Sequence, residues 1–177
     1  STDYVFDSDG TTARDEGAPT GPLSVYGCAM LAGEDAIRAS GCVHLILRTS
    51  WVYAARGSNF VHTMLRLASE RADLSVVDDQ VGAPTGADLL ADVTAHAIQA
   101  VRGSRAPAGT YHCAAAGETS WHAYACFVIE WARTRGMPIK VAPDAVRAVS
   151  AAEYSTPARR PLNSRLDTRK LRETFQL

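Results

Sequence analysis

The sequence predicts an α/β fold built on parallel strands, and three observations predict it. Helix-period and strand-like segments alternate three times along the chain, the strand-like runs are short and β-rich, and no internal repeat or low-complexity tract interrupts them. A chain of 177 residues that is 46% hydrophobic and 21% charged has enough apolar material for one ordinary core.

The elements follow in order. Pro22 through Ser40 reads as a helix closed by Gly41, and Val43-His44-Leu45-Ile46-Leu47 as a strand buried on both faces of a parallel sheet. Phe60, Met64, Leu65 and Leu67 share one helical face, which predicts a helix over Asn59 to Arg71, and Leu74-Ser75-Val76-Val77 then reads as a strand. An amphipathic helix over Asp88 to Val101 and a strand at Thr110-Tyr111-His112-Cys113 come next. The helix over Thr119 to Arg135 is expected to be capped by Thr119 or Ser120 and ended by Gly136-Met137-Pro138. Ile139-Lys140-Val141-Ala142 is expected to be a last short strand, and the polar, Pro-bearing stretch from Ser150 to Ser164 a loop or lid.

Charge and hydropathy narrow the function classes. With 18 basic and 19 acidic residues scattered through the chain and a net charge of -1, the electrostatic footprint of a nucleic-acid binder is missing. No apolar run approaches bilayer length and no signal-peptide pattern stands at the start, so a cytoplasmic protein without membrane contact is expected. Cys28, Cys42, Cys113 and Cys126 form no Cys-x-x-Cys pair and fall in apolar patterns, which predicts four buried free thiols in a reducing compartment. The five His residues have no metal-pair spacing, and His122, the one in a site-like neighbourhood, reads as a polar residue in the first turn of a helix.

Six segments carry the chemistry. They are Ser1-Thr2-Asp3-Tyr4-Val5-Phe6-Asp7, Val25-Tyr26-Gly27-Cys28-Ala29-Met30-Leu31-Ala32-Gly33-Glu34, Arg48-Thr49-Ser50-Trp51-Val52-Tyr53, Asp79-Gln80-Val81-Gly82-Ala83-Pro84-Thr85, Thr119-Ser120-Trp121-His122-Ala123-Tyr124 and Arg160-Pro161-Leu162-Asn163-Ser164-Arg165-Leu166. Together, from Ser1 to about Leu171, they resemble the dTDP-4-dehydrorhamnose reductase family of the extended short-chain dehydrogenase/reductase superfamily. The resemblance implies the C-terminal part of a Rossmann-like doubly wound parallel sheet plus a smaller α/β substrate-binding lobe. In that frame the chain is a single partial domain, with residues 1–57 ending the Rossmann-like core and 58–177 forming mainly the sugar-nucleotide region. The dinucleotide-binding half is expected to be absent, because no Gly-x-Gly-x-x-Gly or Gly-x-x-Gly-x-x-Gly occurs and Ser1 would fall at the end of a central strand. Phe175-Gln176-Leu177 stops about one helix short of the family pattern, so the chain reads as a fragment.

Reducing a sugar ketone puts a hydride on carbon and a proton on oxygen, so the site must hold an acid beside the carbonyl. A Tyr can serve if its pKa of about 10 falls toward neutrality, which burial opposes and a nearby cation favours. In the resembled family that cation is a Lys four residues after the Tyr, on the same helical face, where it also holds the cofactor ribose. Here the position is Met30, which supplies neither charge nor donor.

The resemblance assigns the remaining roles by position. Tyr26 takes the proton-donor position and Thr2 the carbonyl partner, Asp3 and Trp51 hold the sugar, and Thr49 and Ser50 border the nicotinamide beside Tyr26 and Met30. Gln80 to Thr85 belong to the sugar-nucleotide pocket, and Asn163 and Arg165 are candidates for diphosphate or thymine contacts. Read singly, each has a plainer role: strand filler for Thr2, a strand-end polar residue for Asp3, an ordinary half-buried aromatic for Tyr26, a core aromatic for Trp51, a solvated loop for Asn163 and Arg165. The expected function is NADPH-dependent reduction of dTDP-4-dehydro-L-rhamnose to dTDP-L-rhamnose for surface polysaccharide, with no turnover by this chain alone. NADH in place of NADPH, a Mg ion bridging a dimer through a carboxylate such as Asp88, and a homodimer stay open. The rival reading is a non-catalytic sugar-nucleotide or NADP-binding subunit, as in the regulatory subunit of methionine adenosyltransferase, which loss of the Lys would suit.

Overall fold

Ser24 decides where the first helix begins. In the computed structural model, which describes residues 1–103, 107–154 and 159–177, its side chain accepts the Gly27 N–H, so α1 spans Val25–Ala39 and starts three residues after the expected Pro22. Asn59 and Ser120 cap α2 (Phe60–Glu70) and α4 (Trp121–Thr134) in the same way, accepting the N–H of His62 and Ala123. Of the two caps expected for α4, Ser120 is the one used. α3 (Ala87–Arg102) runs between Gly86 and Gly103 without a side-chain cap, and α5 (Arg169–Phe175) closes the chain.

Among the described residues eight short strands pair two by two. β1 (Leu45–Arg48) lies parallel to β6 (Gly109–His112), and β2 (Val52–Tyr53) parallel to β5 (Thr85–Gly86). β3 (Leu74–Val77) is parallel to β8 (Val146–Val149), and β4 (Val81–Gly82) is antiparallel to β7 (Thr119–Ser120). The start of the chain extends the first ladder, since Thr2 bridges Thr49 in parallel and the Asp3 N–H donates to the Thr49 carbonyl at 3.0 Å. This is the α/β arrangement with parallel strands that the alternating pattern implies.

Two apolar clusters hold these layers. Met64, Ala68, Leu74, Val76, Ala125, Ile129, Val141 and Val146 join α2, β3, α4 and β8, while Val93, Ala97, Tyr111, Leu171 and Phe175 join α3, β6 and α5. The strand expected at Ile139–Ala142 does not form; the ladder partner of β3 is Val146–Val149 instead. Ile139-Lys140-Val141 is apolar because it plugs the first cluster, with the Lys140 and Val141 N–H groups both donating to the Ala68 carbonyl at the end of α2. Pro138 and Pro143 on either side lack the N–H a ladder would need.

The thiol expectation needs a second correction. All four cysteines are free, but Cys28 and Cys42 are exposed, Cys126 is partly exposed and Cys113 alone is buried. The buried positions of α1 are Gly27 and Glu34, which leaves Cys28 on the solvent side, and Cys42 follows the helix in a turn where it accepts the Ser40 hydroxyl at 3.0 Å.

Candidate active site

A glycine lets Tyr26 reach the segment that carries Thr2. A Cβ on Gly27 would lie 2.3 Å from the Tyr4 carbonyl oxygen, so only hydrogen allows α1 to close on the single 3-10 turn at Asp3–Val5. The Tyr4 and Tyr26 rings then meet edge to face with centroids 5.5 Å apart, and Tyr26 stays 55% exposed in the first turn of α1. Met30, one turn further on, is half-buried and brings no N–H donor or charge.

Thr2 and Asp3 are buried beside them. The Thr2 hydroxyl accepts the Tyr4 N–H at 3.3 Å and donates to Asp3 Oδ1 at 3.1 Å, which makes Thr2 the cap of the turn. Asp3 Oδ2 has no hydrogen-bond partner among the described residues. Burial raises the Asp3 carboxyl to about 6, against the pull of the neighbouring Ser164 and Thr2 hydroxyls. A half-satisfied buried carboxyl of this kind is ready to accept a ligand hydroxyl.

β1 ends in the same place. The hydroxyls of Thr49 and Ser50 are buried and unpartnered among the described residues. They stand at the carboxyl end of a parallel strand, where ligands collect in open α/β sheets, and they could satisfy the amide edge of a nicotinamide. Trp51 follows with φ of 49°, a conformation rare for a bulky residue, and its indole stacks on Trp121 with centroids 3.6 Å apart. Gly82 underlies that indole so closely that a Cβ there would meet it at 2.8 Å. Thr85 is spent internally, its hydroxyl donating to the Ala83 carbonyl and accepting the Ala115 N–H.

A cavity of about 730 Å³ connects to these segments through Trp121, which lines it and stacks on Trp51; Thr2, Asp3, Tyr26, Met30, Thr49, Ser50 and Trp51 are not themselves among its lining residues. Ser8 and Leu23 line it from the N-terminal segments, Phe60, Thr63 and Met64 come from α2, Val76, Val77 and the buried Gln80 from the end of β3 and beyond, and Trp121 from α4. Tyr154, Arg159, Arg160 and Leu162 form the opposite wall, so described parts of the expected Ser150–Ser164 lid do border the cavity, while 155–158 lie outside the described residues. The size suits a drug-sized or nucleotide ligand, aromatic rings offer a stacking wall, and two guanidiniums suit phosphate oxygens.

Asn163 and Arg165 are elsewhere. Asn163 is buried, its amide donating to the Thr12 carbonyl at 2.9 Å, and Arg165 Nε donates to Glu118 at 2.6 Å. The Asn163 side chain and the Arg165 carbonyl, which accepts the Arg14 N–H, tie the tail to the loop at 8–17, and neither residue lines the cavity. His122 accepts a structural role as well, with Nε2 3.0 Å from the Val146 carbonyl. Of the residues that line the cavity only Gln80 is a site candidate from the sequence; Arg159, Arg160, Phe60 and Tyr154 are among those it did not assign, and the Arg-Arg pair preceding Pro161 was the available signal. Among the described residues no cluster of three or more His, Cys, Asp or Glu could hold a metal, and Asp88 is an exposed residue in the first turn of α3.

Comparisons with known proteins show the family. Residues 1–177 match the family model described as the RmlD substrate binding domain. The chain belongs to that family. A dTDP-4-dehydrorhamnose reductase of Shigella flexneri is 54% identical over 177 residues, all of this chain and 58% of the relative, and that of Escherichia coli K12 is 52% identical with the same coverage. The crystal structure of dTDP-4-dehydrorhamnose reductase from Bacillus anthracis in complex with NADP superposes with a TM-score of 0.82 at 36% identity, covering 98% of this chain and 57% of that one. The RmlD-family chain therefore spans 58% of the length of the curated relatives it matches. None of its helices is long and apolar enough to cross a membrane, among the described residues.

Proposed function

We propose that, within its complete open reading frame, this polypeptide forms the substrate-binding and proton-donating part of a reductase acting on dTDP-4-dehydro-L-rhamnose. The observation that carries the reading is the meeting of the Thr2, Tyr26 and Thr49–Trp51 segments, with Trp51 stacked on Trp121 in the wall of a cavity that aromatic rings and two arginines line. Bound NADPH would supply the hydride. Tyr26 gives the proton to the sugar C4 oxygen and Thr2 orients that oxygen; Asp3 accepts a sugar hydroxyl through its free oxygen. Thr49 and Ser50 would hold the nicotinamide amide, Trp121 and Phe60 pack the substrate, and Arg159 and Arg160 face its diphosphate. In this reading residues 1–57 carry the catalytic segments, 58–177 carry mainly the sugar-nucleotide region, and the setting is the cytoplasm. The names of the relatives do not favour a non-catalytic subunit.

Met30 supplies the test. In the complete reading frame, Met30→Lys should raise reduction of the 4-keto sugar nucleotide by one to several orders of magnitude, about 1.4 kcal/mol per tenfold. Tyr26→Phe in that background should remove most of the gain, because the two positions act as one unit. A Met30→Lys protein that binds dTDP-sugar and NADPH yet reduces no faster would replace the reductase reading with the binding-subunit one.

A further inference from the structure

Three separate stretches of chain meet at one buried carboxylate. Glu34 Oε1 accepts from the Ser1 hydroxyl at 2.5 Å and from Arg48 Nε at 2.8 Å, while Oε2 accepts from Arg48 Nη2 at 2.7 Å and Arg38 Nη2 at 2.5 Å. Glu34 and Arg48 are each 2% exposed. Each stretch also carries one segment of the candidate site: Ser1 precedes Thr2, Glu34 lies two helical turns beyond Tyr26, and Arg48 precedes Thr49, Ser50 and Trp51.

Within these 177 residues helix α1 is otherwise located mainly by the approach of Gly27 and Tyr26 to Tyr4. Its buried residues are Gly27 and Glu34, so its apolar face does not dock it as the faces of α2 and α4 dock them. A buried ion pair is weak grounds for stability, because desolvating two charges offsets much of their attraction, and apolar residues of similar volume could pack as well. What a bidentate fork adds is geometry: both N–H groups of Arg48 align with both oxygens of Glu34 only at one helix-to-strand placement. Burial alone would push the Glu34 carboxyl up, but Arg48, the Ser1 hydroxyl and Arg38 outweigh it and hold it down at about 2, so the fork stays ionised at any working pH.

We propose that Glu34 is a positioning residue, its carboxylate locking α1, β1 and Ser1 together so that Tyr26 stands in fixed relation to Thr2 and to the Thr49–Trp51 segment. This rests on the reading of Tyr26 as proton donor. The complete reading frame carrying Met30→Lys is the protein to test. Glu34→Gln keeps the shape and loses the charge, and it should lower kcat about 10- to 100-fold, the usual cost of a small misplacement, while KM for the 4-keto sugar nucleotide stays within about threefold. Arg48→Lys, which keeps charge without the fork, should fall between.

A second readout needs no turnover. With 3-fluorotyrosine at position 26, the single fluorine resonance of the parent should broaden or split in Glu34→Gln. Leu171→Ala, in the cluster around α5, should lose comparable stability yet keep kcat within about twofold and the resonance sharp. If Glu34→Gln does not fold, the apolar double variant Glu34→Met/Arg48→Met should fold and show the same kcat loss. A Glu34→Gln or double-Met protein of unchanged kcat and unchanged fluorine line overturns the proposal. Tyr26→Phe with full kcat would instead sink the proton-donor reading, and the fluorine line would still decide whether Glu34 positions residue 26.

Discussion

At Asp3 the needs of stability and of binding oppose each other. The buried carboxyl is raised from 3.8 to about 6, mainly by desolvation, and keeps one oxygen unpartnered. A folded-state value above the unfolded one means that the folded form binds the proton more tightly, so stability is fully present below about 3.8 and is lost as pH rises through 6. At 1.36 kcal/mol per pKa unit the loss is on the order of 3 kcal/mol. Asp3→Asn should therefore gain about 1–3 kcal/mol of unfolding free energy at pH 8 and almost nothing at pH 4, measured by urea denaturation at both, while reduction of the 4-keto sugar falls. An equal effect at the two pH values would show that Asp3 ionises freely. Thr2, Asp3 and Tyr26 could be put forward as site residues because their types and spacing match a known pattern, whereas neither the burial that raises the Asp3 carboxyl nor the Ser164 hydroxyl that opposes it from far along the chain can be read locally. The partners that Asn163 and Arg165 take are equally hidden: polar side chains in a Pro-bearing stretch suit a ligand or an internal strap, and the contacts with Thr12 and Glu118 arise only in the fold.

Among the elements, α1 depends on close approach rather than on an apolar face. Ala at Gly27 would favour the helix by about 1 kcal/mol, yet its Cβ would stand 2.3 Å from the Tyr4 backbone oxygen, where neither partner is a flexible side chain that can move aside. The clash should win. Gly27→Ala is expected to cost a net 1–3 kcal/mol, roughly the range for overpacking, and to lower kcat further by displacing Tyr26 from the Thr2 turn. Thermal denaturation together with steady-state kinetics checks both parts, and a stabilised, fully active variant would refute the close-approach account. Helix and strand periods were readable wherever the apolar stripe faces a core, as in α2, α3 and α4. They misled at Ile139–Ala142, where a short apolar run fits a strand and a core plug equally, and the flanking prolines were the overlooked discriminator. They also gave no warning of the Glu34–Arg48 fork. Both residues lay in plain view inside two quoted segments, but a pair separated by 14 positions meets only once the helix returns on the strand.

For the whole molecule the governing question is where a dinucleotide could rest its pyrophosphate. Helix N-termini are the usual place, since their free N–H groups and dipole favour anions. Three of the five α-helices among the described residues have spent that capacity: the Ser24, Asn59 and Ser120 side chains already accept the N–H groups of Gly27, His62 and Ala123. The uncapped start of α3 carries Asp88 in its first turn, which repels an anion, and the Arg169 N–H at the start of α5 donates to Asp167. No Gly-rich turn precedes any of them in the 177 residues. The arginines at the cavity wall face the other way in chemical terms, since they sit with Trp121, Phe60 and Gln80 in a space of about 730 Å³ suited to the sugar nucleotide. The 177-residue polypeptide on its own should therefore show no saturable NADPH fluorescence change at micromolar concentrations, while dTDP binds to the same sample in a calorimetric titration and so shows that the cavity is formed. Binding of dTDP should weaken at least tenfold, about 1.4 kcal/mol, in Arg159→Ala/Arg160→Ala, because the diphosphate would lose both guanidinium partners. Saturable micromolar NADPH binding by these residues alone would mean that a pyrophosphate cradle exists without either a glycine-rich turn or a free helix start.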